Sequence, residues 1–385
     1  MEALPLDGVR IVDLSWIIAG PTATRHMAIM GAEVIKVGSS KRPDPSYSGP
    51  AFHSYNQSKQ YVSVNLASTE GIEIVKDLVA ISDVVIENFA TGVIERRGLG
   101  YDVLSSVNPS IIMISSSGVG HSGPKKDQVA YGSLLQHYTG WNSQSGYKDS
   151  EPVKGGLWAD PWVGMELAMV TTACLNYRMS TGMGQYVDFS MAEALLGSMP
   201  ITILNNQING SPSESIGNED DLDLMSELFR CKGEDSWLAL SITCEGQWNM
   251  LCELLGRTDL NVHGKVEKSI KDELRSVISK WIQGKTDLEA VNFLQSYGIA
   301  ASPSWSIDDV YRDDVLRKDN YMVPMETNDG VRRFMPGVPW HFSQGPDPII
   351  GTAPKLGQDN YKIFRELVGM EHSKYEKLLD DGVLE

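Results

Sequence analysis

An aspartate followed by proline at the head of a long helical stretch is the pair in this chain with the most chemistry to offer. Asp160 and Pro161 open a helix predicted from Pro161 to Met179. Proline suits the first helical position, and aspartate suits the residue before it, where its carboxylate accepts backbone N–H bonds and the helix dipole favours its charged form. An ionised carboxylate is also what a nucleophilic aspartate needs. On residue type alone, capping is the commoner use. The cysteines offer less: Cys174, Cys231, Cys244 and Cys252 are widely spaced with no CxxC pair, which argues against a zinc site and a disulfide framework and for buried free thiols.

The elements that would position Asp160 alternate. Val9 to Leu14 reads as a buried strand, Pro21 to Met30 as a helix stopped by Gly31, and Glu33 to Val37 as a second strand. A helix from Thr69 to Ala80, strands at Asp83 to Phe89 and Ile111 to Ser115, a strand at Gln185 to Phe189 and a helix from Met191 continue the pattern. Alternation of this kind predicts an α/β fold with a Rossmann-like parallel sheet, ligands lying at the carboxyl ends of its strands. Those ends carry the loops Ser15 to Gly20 and Asn88 to Gly92. The first loop reads SWIIAG and lacks GxGxxG, so a nicotinamide dehydrogenase is rejected.

Past residue 204 the composition changes. Residues 205–225 are rich in Asn, Gly, Ser and Pro and carry Glu219, Asp220, Asp221 and Asp223, which marks a linker or exposed loop. Strands at Leu228 to Cys231 and Trp237 to Ile242, with helices at Gln247 to Leu255, Asp272 to Gln283 and Asp287 to Tyr297, predict a smaller α+β domain over 226–320. Residues 1–204 form a larger domain ahead of it, and 321–385 are rich in Gly and Pro until a final helix near Asn360 to Val368. With 33 basic and 50 acidic side chains the net charge is -17, so nucleic acid and anionic membranes are not expected partners. No leader and no apolar run of about 18 residues is read, and a cytoplasmic protein is expected.

The order of residues also resembles a known family. GVRIVDLSWIIAGPTATRHMAIMGAEVIKV, NQSKQYVSVNLASTEGIEIVKDLV, SDVVIENFATGVIERRGLGYDVLSSVNPSIIMISSSGVGHSGP and STGMGQYVDFSMAEALL resemble successive blocks of the class III CoA-transferases, the CaiB/BaiF group. LQSYGIAASPSWSIDDVYRDD and APKLGQDN resemble the closing blocks, so the likeness spans nearly the whole chain. It implies a large domain built from 1–204 and a returning 321–385, two interlocked protomers, identical or related, and an exchange of CoA between two carboxylic acids with CoA thioesters as substrates. No metal or resident cofactor is expected. In GGLWADPWVGMELAMV it places the nucleophile at Asp160, which would form a mixed anhydride and then an aspartyl-CoA thioester; Gly155, Gly156 and the Ser15 to Gly20 turn are the expected oxyanion donors.

Carried over position by position, the resemblance puts Ile17, Ala19, Val64, Asn88, Arg96, Arg97 and Tyr131 at CoA contacts and Gln136 beside the reacting groups. For Val64 and Ile17 simple packing is the alternative; for Arg96 and Arg97 it is a surface pair with Glu95. Trp16, Trp141, Trp158 and Trp162 fall in segments expected around Asp160, where aromatic walls suit a bulky acyl group, with core packing as the alternative. Succinyl-CoA as donor and an aromatic succinate as acceptor would fit such a pocket.

Two departures stand out. Gly38, Ser39 and Ser40 replace the arginine that many members place near the adenine, with Lys41 and Arg42 following, and SIGNEDDLDLMSELF replaces the usual loop over the intermediate, leaving Gly217 for closure. A racemase of the same fold is weakened because Tyr131 stands where racemases carry histidine. A non-catalytic subunit of a heteromeric transferase is the other rival, against which Asp160 counts.

Overall fold

Short runs of Val and Ile that are apolar on both faces can be buried only where helices cover both sides of a parallel sheet. Strands β1 (Arg10–Asp13), β2 (Glu33–Gly38), β3 (Gln60–Ser63), β4 (Val84–Glu87), β5 (Ile112–Ser117) and β6 (Gln185–Ser190) pair in this way, all parallel. Their order is β3-β2-β1-β4-β5-β6, the doubly wound arrangement of the Rossmann-like expectation. The structure, a computed structural model, describes every residue except 1, 2, 149, 153–155, 211–214, 221, 319, 320, 328 and 349.

The chain divides into two units, Met1–Asn142 with Lys154–Ser211 and Asp319–Glu385, and Ser143–Val153 with Pro212–Lys318. Helices of the first are α1 (Ala19–Ile29), α2 (Pro50–Tyr55), α3 (Thr69–Ala80), α4 (Val93–Arg96), α5 (Tyr101–Val107), α6 (Gly132–Tyr138), α7 (Ala159–Thr181), α8 (Met191–Gly197) and α9 (Pro200–Asn209). One core packs Met27 of α1 and Leu167 of α7 with Ile86 and Ile114; the other packs Leu78 of α3 and Phe364 with Ile35 and Val85. Alternate residues of β4 thus point into opposite cores, as the period of a strand requires.

In the second unit β7 (Met225–Arg230), β8 (Trp237–Ile242) and a further strand β9 (Ala300–Pro303) form an antiparallel sheet with α10 (Glu245–Leu254), α11 (Lys268–Ile282) and α12 (Asp287–Ser296). Thr286 and Glu289 form a full capping box at the head of α12. Gly217, with φ of 67°, rests against the Tyr147 ring, and its N–H donates to Gly146 O at 2.9 Å.

Short elements escaped the sequence reading: α2, β3, α5, α6 and β9 are four to seven residues long, too short for a period to register. The final helix is π-helical over Tyr361–Leu367 and is followed by another, His372–Asp380. Cys244 is exposed, unlike the other three cysteines, because it precedes α10 on an open loop. No helix among the described residues is long and apolar enough to cross a membrane.

Candidate active site

The strand order reverses between β1 and β4, so their carboxyl ends flank the crevice where ligands of such sheets bind. The loop after β1 is tied across this crevice by Asn88. Its Oδ1 accepts the Trp16 N–H at 2.8 Å and its Nδ2 donates to Trp16 O at 2.9 Å. Asn88, expected at CoA, therefore spends its amide on the loop backbone. Phe89 adds an edge-to-face contact with the Trp16 ring, centroids 5.2 Å apart.

Four buried charges support the same loop from below. Asp13, the last residue of β1, accepts the Ser15 N–H at 2.9 Å, the Thr24 hydroxyl at 2.7 Å and the Lys59 ammonium at 3.0 Å. The neighbouring ammonium groups of Lys59 and Lys36 and the two hydroxyls outweigh burial and hold the Asp13 carboxyl down at about 2. Lys36 donates to Ser15 O at 2.6 Å and pairs with Asp44 at 3.3 Å. The Ile17 N–H is taken by Asp44. These bonds correct one expectation: Ser15, Trp16 and Ile17 cannot supply oxyanion donors, because their N–H groups are already engaged. Ala19 and Gly20, in the first turn of α1, remain open among the described residues, as first-turn N–H groups do. Gly156 is exposed, and Gly155 lies outside the described residues.

Asp160 is not the cap. Helix α7 begins at Ala159 with Trp158 as its N-cap, so Asp160 is the second helical residue, and no described residue donates a hydrogen bond to its carboxylate. The expectation of an easily ionised group falls with the cap: burial pushes the Asp160 carboxyl up from 3.8 to about 6. It lies against Gly132 at the start of α6, where a Cβ would stand 2.4 Å from Oδ1. One turn later on the same face of α7, Gly164 packs onto α1, a Cβ there standing 2.6 Å from Ala19 O and 2.5 Å from Thr22 Cβ. That contact brings the head of α7 beside the open end of α1.

Gln136 is buried one turn after Gly132 and donates to Gly156 O at 3.4 Å rather than to Asp160. The reading of the sequence missed Tyr55, whose hydroxyl is held above its ordinary range by burial and by the charge of Asp160, with Arg25 acting the other way. Arg25 is itself buried and donates to Gln57 at 2.7 Å and to Pro336 O at 2.6 Å. Gly132, Asp13, Lys36, Asp44 and Lys59 were missed too. A lysine inside the apolar strand EVIKVG was the available signal, since a buried ammonium demands a partner.

The other candidates separate. Tyr131 is exposed at the head of α6 beside Gly132, whereas Val64 is fully buried and bridges to Leu384. Arg96 is exposed, its guanidinium against Gly92, with no ion pair among the described residues; Arg97 donates to Leu66 O at 3.0 Å. Neither pairs with Glu95. Arg42 stacks over the Trp16 ring at 5.2 Å and gives the crevice a second guanidinium. Trp158 packs on Trp141 at 4.4 Å and against the core, while Trp162 is 41% exposed and belongs to no core cluster.

A carboxyl that ionises near 6 sets two expected outcomes. First, kcat/KM falls about tenfold per pH unit below pH 6, where Asp160 is protonated; a flat profile from about pH 5 to 8 would exclude it as nucleophile. Second, because the folded-state value lies above the unfolded 3.8, stability present at low pH is lost as pH rises through 6. Asp160→Asn should therefore exceed wild type by up to about 3 kcal/mol at neutral pH, the gain vanishing near pH 4. Urea melts at the two pH values check it.

Known proteins share the sequence blocks and the fold. The model of CoA-transferase family III matches residues 6–360. A succinate–glutarate CoA-transferase of Agrobacterium fabrum is 30% identical over 96% of this chain and 97% of that protein. The succinyl-CoA–L-malate CoA-transferase beta subunit of Chloroflexus aurantiacus is 28% identical over 95% of each. The crystal structure of a CaiB/BaiF family protein from Brucella suis aligns with a TM-score of 0.84 at 27% identity, covering 95% of this chain and all of that one.

Proposed function

This chain belongs to CoA-transferase family III, and we propose that it moves CoA from a small acyl-CoA, succinyl-CoA first, to a second carboxylic acid through Asp160. The observation that carries the reading is the desolvated Asp160 carboxylate, unneutralised by any described hydrogen bond, at the head of a helix that packs through Gly164 against the first turn of α1. Such a carboxylate, once ionised, has lost the water that would blunt its attack.

Asp160 attacks the thioester carbonyl; the C–S bond breaks, CoA thiolate leaves and a mixed anhydride forms. The thiolate attacks the Asp160 carbonyl and expels the donor acid, leaving an aspartyl-CoA thioester. The acceptor carboxylate then attacks that thioester carbonyl and releases the thiolate, which attacks the acceptor acyl carbon and frees Asp160. One thioester is consumed and one formed, so no other energy source is required. The Ala19 and Gly20 N–H groups receive each oxyanion, and Arg42 and Arg96 meet the nucleotide phosphates. Gln136 steadies the segment that leads into Asp160.

Succinyl-CoA, acetyl-CoA and a panel of dicarboxylic acids incubated with the protein and read by mass spectrometry test the reading. No new acyl-CoA with any pair would overturn it. A dimer, identical or mixed, is part of the proposal; an active monomer by light scattering would remove that part. The relative described as a beta subunit supports asking for a second chain. Trp162, exposed and two residues past Asp160, is proposed as a wall of the acyl pocket. Trp162→Ala should change the preference between a bulky and a small acceptor by about tenfold with little loss of Tm; equal effects on both acceptors would count against it.

A further inference from the structure

Ile17 stands in a conformation its own side chain disfavours. Its φ is 68°, the left-handed region that a β-branched residue enters only where the surroundings over-determine it. Here they do. The Ile17 N–H faces both oxygens of Asp44, at 3.2 and 3.3 Å. Asp44 is buried and accepts from Ser46 as well, its N–H at 2.9 Å and its hydroxyl at 2.7 Å. Lys36, its partner at 3.3 Å, also donates to Ser15 O at 2.6 Å. One buried ammonium thus joins the carbonyl before the turn to the carboxylate that holds the N–H within it.

A buried ion pair is a poor source of stability, since desolvation of both charges offsets most of their attraction. Its use lies in what it fixes. We infer that the Lys36–Asp44 pair is a positioning device that locks Ile17 in its left-handed turn, and that this turn aims the Ala19 and Gly20 N–H groups at the reacting carbonyl. The inference rests on the function proposed above. Released from Asp44, Ile17 relaxes toward negative φ, Ile18, which caps α1, rotates with it, and the donors lose their alignment.

The test is a rescue. Asp44→Asn is expected to lower kcat at least tenfold while the KM for the donor thioester changes less than threefold. Ile17→Gly in that background should return kcat to within about threefold of wild type, because glycine takes a positive φ without penalty. A pair that serves only stability would lower Tm without this split, and Ile17→Gly would rescue nothing; either result overturns the inference. Where Asp44→Asn does not fold, the double change Lys36→Met with Asp44→Asn leaves no unpartnered charge and is judged by the same rescue. Wild type inactive with every substrate pair would sink the proposed function instead. The crystal structure of the Asp44→Asn variant, with Ile17 retained, then decides: Ile17 still at φ near 68° overturns the lock, and its departure supports it.

Discussion

Asp160→Ala is expected to reduce CoA transfer by about 10⁴- to 10⁶-fold, the range seen when a covalent nucleophile is removed, while the folded protein survives intact. The second half of that expectation comes from the structure. Capping would have cost about 1 kcal/mol on substitution, yet Trp158 holds the cap position and Asp160 makes no described hydrogen bond. What disappears is a carboxylate whose burial already opposes its charge. With succinyl-CoA and no acceptor, the wild type should also carry a covalent adduct on Asp160, trapped by hydroxylamine and located by peptide mass mapping. Turnover near wild type in the alanine variant, or label found only on other residues, would remove Asp160 from the mechanism.

Gly132→Ala should cost about 100-fold in kcat, the loss that follows when a reacting group is displaced by about 1 Å. The added Cβ would stand 2.4 Å from Oδ1 and 2.8 Å from Cγ of Asp160. No real contact is that short, and a carboxylate on a two-bond side chain must turn away. The backbone gives no reason for harm, since Gly132 begins α6 without a positive φ and alanine is the better helix former by about 1 kcal/mol. The expected signature is therefore an enzyme as stable as wild type that binds CoA normally and forms the aspartyl adduct slowly. A kcat within threefold of wild type would show that the carboxylate has room to work elsewhere.

The sequence by itself determined the sheet and the family, and it singled out Asp160 as the expected nucleophile. Val9 to Leu14 and Glu33 to Val37 are apolar enough that only a covered parallel sheet can hold them, and the Asp160 segment sits in a run of blocks whose order is specific. What those residues experience was decided by tertiary structure. A carboxyl near the head of a helix reads as a cap with a low pKa, because local sequence shows the helix dipole and not the bodies packed against it. Gly132 approaches from a different helix and excludes water, and burial reverses the sign of the shift. Asn88 likewise read as a ligand contact, although its amide closes the gap between two strand ends 72 residues apart in sequence. Val64 was undecided until the bridge to Leu384 buried it. Asp13 and the charges around it, Lys36, Asp44 and Lys59, come from four separated segments, so no spacing could have announced them. Periodicity records which face of an element is apolar, whereas the position of a polar group relative to its partners is fixed only when the chain is folded.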